Sequence, residues 1–143
     1  MATKAPNKML TQTVEIPKPK EFQQLRIDCG LSTRSDAAVS AGLANSLFAT
    51  TIRLDERLVA MGRVVGDGGC NFEVVDIAVH PDFQRQGVAQ LVMAAIMKYL
   101  EDNAPESAYV SLIADHHSPA LYKKFGFRST APDSIGMSFT VSK

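Results

Sequence analysis

Val79-His80-Pro81-Asp82-Phe83-Gln84-Arg85-Gln86-Gly87-Val88-Ala89, followed by an apolar-periodic run to Leu100, reads as a strand end, a short polar loop and a helix start. Gly87 and Ala89 leave the first helical turn almost bare of side chains. The first N–H groups of a helix have no intrahelical partners, and the aligned peptide dipoles add partial positive charge there. A phosphate can approach such a turn when nothing large projects from it, so the stretch suits an anion. The same residues also suit an ordinary strand-to-helix turn. No G-x-G-x-x-G is present and no Gly-Lys-Ser/Thr ends a P-loop, so a phosphate-bearing ligand other than those of the nucleotide folds is favoured.

Upstream of this stretch, Cys70 to Val79 is apolar at Phe72, Val74, Val75, Ile77, Ala78 and Val79, which predicts a strand covered on both faces. Leu47 to Leu54 and Arg57 to Val65, separated by Asp55-Glu56, predict a hairpin, and Gly66 to Gly69 the next turn. Leu10 to Ile16 alternates as a strand ended by Pro17 and Pro19. Helices follow over Lys20 to Cys29 and Ser35 to Ser46, with Ser35 as N-cap. Downstream, Leu91, Val92, Ala95, Ile96, Tyr99 and Leu100 mark the buried face of the helix after Gly87. Ala108 to Ala114 is a further strand, Ser118 to Phe125 a short helix closed by Gly126, and Ile135 to Val141 a last strand. This order predicts an α/β fold, a single domain with a mixed, mostly antiparallel sheet and flanking helices.

At 143 residues with 45% hydrophobic content, one domain over residues 9–143 is expected, preceded by a flexible segment at 1–8. Fifteen basic residues balance fifteen acidic ones, so no global field draws the chain to nucleic acid or an anionic membrane, and any anion site is local. Cys29 and Cys70 form no C-x-x-C pair and have no histidines at metal spacing, which predicts reduced thiols and no metal. No signal-like apolar run opens the sequence and no segment approaches a membrane span, so a cytoplasmic location is expected.

Ala120-Leu121-Tyr122-Lys123-Lys124-Phe125-Gly126-Phe127 lies one helix-plus-strand unit after the loop. Together with Gln84 to Ala89 it resembles the GNAT superfamily of acetyl-CoA-dependent N-acetyltransferases. The first segment is similar to that family's Gln/Arg-x-x-Gly-x-Gly/Ala loop and the second to its Leu-Tyr-x-x-x-Gly-Phe signature. The resemblance implies two central strands that splay apart, with acetyl-CoA in the opening. Gln84, Arg85, Gln86, Gly87, Val88 and Ala89 would hold the pyrophosphate, and Ile77, Ala78 and Val79 would offer backbone groups to the pantetheine arm and the thioester oxygen. Arg85, Lys123 and Lys124 are candidates for CoA phosphates, although lysines on a short helix also serve as a solvated face.

Acetyl transfer needs a neutral amine, and an alkylamine with a pKa near roughly 10.4 is neutral in only about one molecule in a few thousand at pH 7. A carboxylate removes the proton directly or through water. Asp76, a charge in an apolar strand, is the candidate catalytic base, against the alternative of a hydrogen-bonded structural acid. Glu73 is the second candidate; three positions away, it faces opposite to Asp76 unless a bulge intervenes. The resemblance makes Tyr122 the acid that protonates the CoA thiolate and a cofactor contact, against the alternative of a core tyrosine beside Phe125 and Phe127. His80, His116 and His117 read as loop residues. Asp115 and Ser118 stand where many relatives carry an asparagine before the tyrosine.

The expected activity is transfer from acetyl-CoA to a primary amine of a small molecule, of amino acid, polyamine or arylalkylamine type. Acetylation of a peptide or protein, and a non-catalytic acyl-CoA-binding module, are the alternatives. The first helices, from about Phe22 to Leu47, and the final strands, from about Ser129 to Met137, would flank the acceptor. Arg63 could face an acceptor carboxylate. An exposed last strand could pair between chains in a homodimer.

Overall fold

The predicted hairpin forms about Asp55-Glu56: β2 (Phe48–Leu54) and β3 (Arg57–Gly66) pair antiparallel from Phe48 opposite Val64 to Leu54 opposite Arg57. β1 (Leu10–Val14) adds antiparallel to β2, and β4 (Asn71–Val79) antiparallel to β3. β5 (Tyr109–Ser111) lies parallel to β4, giving a mixed five-stranded sheet in the order β1-β2-β3-β4-β5. The structure is a computed structural model describing residues 9–115 and 118–143, so the expected flexible segment 1–8 lies outside the described residues. The chain forms two compact units, one through Leu112 and one over Ile113–Lys143.

In the first unit, α1 (Pro19–Asp28) and α2 (Asp36–Ala44) precede β2. Pro19 opens α1 rather than merely ending β1, since a first helical position needs no N–H donor. The predicted cap at Ser35 is present, with its hydroxyl accepting from the Ala38 N–H at 3.1 Å. Phe22 and Leu25 of α1 and Val39 and Leu43 of α2 share one core cluster with Leu58, Met61 and Ala78 of the sheet. Arg53 of β2 fastens α1 in place by donating to both oxygens of Glu21, at 2.9 and 2.7 Å, and to Glu15 at 2.9 Å.

α3 (Val88–Asn103) packs against β2, β3 and β4 and buries Val88, Val92, Met93, Ile96 and Leu100. Leu91, expected in that face, is exposed, and Met93 takes its place. Gly62 on β3 permits this close packing. A Cβ there would lie 2.5 Å from Val92 Cγ1, 2.7 Å from Ile77 Cδ1 and 3.0 Å from Ile96 Cδ1. Gly66 to Gly69 forms the turn into β4, where the Asp67 carboxylate accepts from the N–H groups of Gly69 at 2.8 Å and Asn71 at 3.0 Å.

The second unit carries α4 (Pro119–Lys123), and Gly126 follows it at φ 94°. The last strand expected over Ile135 to Val141 is absent among the described residues. The alternating side chains Ile135, Met137, Phe139 and Val141 stand 69–90% exposed, and the segment joins no ladder; apolar alternation makes a strand only where a neighbouring edge accepts its hydrogen bonds.

Candidate active site

β4 carries an irregularity that aims its charged residue. Met61 pairs with Ala78 and Arg63 with Val75, so the single residue Gly62 on β3 opposes both Asp76 and Ile77 on β4. Asp76 takes a left-handed conformation at φ 57°, one that aspartate tolerates better than most residues. The extra residue breaks the alternation: Val75 and Asp76 both line a pocket on the α1/α2 face, while Ile77 reaches toward α3. Glu73, paired with the pocket residue Val65, therefore shares a face with Asp76. The strict alternation that would have put the two acids on opposite faces does not hold across a bulge.

Asp76 is gripped by two arginines. Its Oδ1 accepts from Arg26 Nη1 at 2.7 Å and its Oδ2 from Arg63 Nε at 2.8 Å, and all three side chains are at most 12% exposed. Arg63 continues to the Gly42 carbonyl at 3.1 Å and the Ser46 hydroxyl at 2.7 Å, and Arg26 Nε to the Ser32 carbonyl at 2.8 Å. The Phe22 ring lies under both guanidiniums, 5.8 and 5.7 Å from their central carbons. Both carboxylate oxygens are engaged within the protein in charge-assisted bonds, a geometry that matches the hydrogen-bonded structural-acid alternative for Asp76. Arg26 was not legible as a site residue. Its signal was a charge among the buried positions Phe22 and Leu25 of α1, at helical spacing.

β4 and β5 pair only from Asn71 opposite Tyr109 to Glu73 opposite Ser111, although β4 continues to Val79. From Val74 onward its outer edge has no strand partner among the described residues, which is the expected splay. Ile77, Ala78 and Val79 lie on this open edge. The Val79 carbonyl is already taken, by Gln84 Nε2 at 3.0 Å and the Cys29 thiol at 3.3 Å. Burial, followed by the nearby Asp28 charge, pushes the Cys29 thiol above its ordinary value, leaving it a protonated donor.

Beyond β4, a short 3-10 turn (Pro81–Phe83) is capped by His80, whose Nδ1 accepts from the Asp82 N–H at 3.1 Å, and it is anchored by buried Phe83. His80 thus has the loop role expected of it. Arg85 and Gly87 adopt left-handed conformations at φ 63° and 79°, and Gly87 caps α3 without any side-chain hydrogen bond. The first turn of α3 contains no acidic residue, so its N–H groups have neither a side-chain cap nor a carboxylate beside them that would repel an anion. Gln86 braces the loop by donating to the Asp82 carbonyl at 3.2 Å. Val88 differs from the rest of Gln84 to Ala89: its side chain is buried, leaving only its backbone for a ligand.

In the second unit, Tyr122 is buried and packs edge-on to Phe127, with ring centroids 6.3 Å apart. Burial pushes its phenol above the ordinary value; a hydrogen bond with Ser118 works against this rise and the Asp115 charge adds to it. Lys123 and Lys124 are exposed. His116 and His117 lie outside the described residues. No group of three or more His, Cys, Asp or Glu side chains suited to a metal occurs among the described residues. No helix among them is long and apolar enough to cross a membrane.

The acetyltransferase (GNAT) domain family matches residues 32–138 of the chain. The chain belongs to the GNAT acetyltransferase family. It is 35% identical over 119 residues to the uncharacterized N-acetyltransferase ycf52 of Porphyra purpurea, an alignment covering 80% of this chain and 67% of that one. A Staphylococcus aureus protein of unknown function described as a probable acetyltransferase is 46% identical, with a TM-score of 0.90 over 93% of this chain and all of that structure. A GNAT family protein of Streptococcus pneumoniae, 24% identical, shares the fold at a TM-score of 0.76 over 94% of this chain and all of that one.

The GNAT chain is an N-acetyltransferase, an acyltransferase, and GNAT acetyltransferases use acetyl-CoA. Its residues fit that donor. The uncapped first turn of α3 suits phosphate, and the open edge of β4 suits an extended arm bearing amides. Replacing Asp76 by Asn keeps a residue that tolerates φ 57° but removes the charge, stranding two buried guanidiniums. In this acetyltransferase Asp76→Asn should lose about 3–5 kcal/mol of stability by urea denaturation; an unchanged midpoint would contradict the clamp.

Proposed function

We propose that the protein transfers the acetyl group of acetyl-CoA directly to a primary amine of a small molecule. The observation that carries this reading is the combination, on one strand, of an open edge after Glu73 and a pocket at the bulge. That pocket has a volume of about 260 Å³, which suits a small acceptor better than a folded partner. Two free thiols, Cys29 and Cys70, accord with the reducing cytoplasm.

In this reading the first turn of α3 and the loop from Gln84 to Ala89 hold the CoA pyrophosphate, while the backbone of β4 pairs with the pantetheine arm. Glu73 takes the proton of the attacking amine, directly or through a water, because it shares the pocket face and makes no side-chain hydrogen bond among the described residues. Asp76, the candidate base of the sequence, acts instead by holding Arg26 and Arg63. As the amine nitrogen bonds to the carbonyl carbon, a β4 N–H in the stretch Ile77 to Val79 meets the charge on the carbonyl oxygen. When the carbon–sulfur bond breaks, the thiolate takes the Tyr122 proton, a role its motif implies. The raised phenol keeps that proton across the neutral range, so the rate should fall only as pH rises past its shifted value.

Tyr122→Phe should lower kcat by about 100-fold and abolish that alkaline fall, with the KM for acetyl-CoA little changed. Glu73→Gln should cause a comparable loss of kcat. These effects are read from thiol release over a pH series. Unchanged kcat in Tyr122→Phe would remove the acid role, and a kcat kept in Glu73→Gln but lost in folded Asp76→Asn would return the base role to Asp76.

A homodimer is proposed on a separate observation, the exposed apolar alternation Ile135, Met137, Phe139 and Val141, which a second copy's sheet edge could cover. Sedimentation equilibrium should give twice the chain mass; a monomer at micromolar concentration would rule this out.

A further inference from the structure

The pocket at the β4 bulge carries more positive charge than its one acid can balance. Arg26, Arg34 and Arg63 line it with Asp76, a local excess of two positive charges in a chain of net charge zero. Arg26 and Arg63 are buried and spent on Asp76. Arg34 is exposed and forms no ion pair with the described residues.

Arg34 is nevertheless held in place. Its Nη1 donates to the Ser32 hydroxyl at 2.6 Å, and its backbone N–H donates to Gln23 Oε1 at 3.3 Å while Gln23 Nε2 donates back to its carbonyl. The loop before α2 is thereby tied to α1, which positions the guanidinium at the pocket without occupying its Nε or Nη2. Arg26 lies below its ordinary value chiefly through burial, with Asp76 opposing the fall and repulsion from Arg34 and Arg63 adding to it. A bound anion would relieve that repulsion. The side of the pocket formed by Val75 and Asp76 belongs to β4, where the acetyl donor is proposed to lie.

We propose that the acceptor is an anionic amine, bearing a carboxylate or phosphate that Arg34 meets while its amino group turns toward β4. Arginine suits both anions because its planar fork matches two oxygens at once. Within the broader class of small amines this favours amino acids and phosphate-bearing amines and disfavours polyamines, whose second cation would meet the same arginines. The inference rests on the direct-transfer reading for the place of the amine, but not for the anion preference itself.

The test uses probe pairs matched except for the anion: 6-aminohexanoate against its amide, and ethanolamine phosphate against ethanolamine. With the full chain and saturating acetyl-CoA, at least one anion-bearing probe should exceed its anion-free twin by about tenfold in kcat/KM, mainly through KM. Arg34→Gln should reduce that ratio to about threefold or less. Calorimetric binding of the same probes to CoA-loaded protein gives a readout free of turnover. If no probe is acetylated, the reading of direct transfer to a small amine fails, and the binding ratio still decides the anion preference. Equal affinity within both pairs, or a preference that survives in Arg34→Gln, would overturn the inference.

Discussion

The clamp of Asp76 between Arg26 and Arg63 is the constraint on which the site depends. An aspartate at φ 57° within a strand is held against its backbone preference, at a cost of order 1–3 kcal/mol. Two guanidinium bonds at 2.7 and 2.8 Å offset it. Because the arginines come from α1 and β3, the clamp ties helix to sheet at the one place where β4 departs from regular pairing. β4 pairs with β5 as far as Glu73, and from Val74 onward its outer edge has no strand partner among the described residues. The clamp, the bulge and the open edge thus share one strand.

The second feature follows where β4 ends. The loop turns the chain from the sheet into a 16-residue helix whose start lacks both a cap and an acid. Most helices satisfy their first amides with a side chain. Leaving them free is a sacrifice of stability that an anionic ligand repays, and it accords with the acetyl-CoA chemistry of the family. Gly87 is required for its conformation rather than for space within the protein, since a Cβ there would meet no other atom within 4 Å.

Local patterns were the legible part of the sequence. The hairpin at Asp55-Glu56, the Ser35 cap and the helix after Gly87 were readable because each depends on neighbours a few residues away. The two motifs, joined by order and spacing, carried the family. What could not be read depended on distant partners. A bulge is set by the register between β3 and β4, so the shared face of Glu73 and Asp76 was hidden, and so was the commitment of Asp76 to Arg26, fifty residues earlier in the chain. The expected strand over Ile135 to Val141 is not formed among the described residues for the complementary reason: an alternating pattern does not itself supply the pairing a strand needs. Arg63, noted only as a residue that could face a carboxylate, does face one, that of the protein's own Asp76.

Amide hydrogen exchange with and without CoA addresses the dependence of donor binding on the open edge of β4 most directly. Exchange should slow at amides within Val74 to Val79 that point away from β3, and at Val88 to Gln90 in the first turn of α3. Unchanged exchange at both places in CoA-saturated protein, with protection appearing elsewhere, would contradict that dependence.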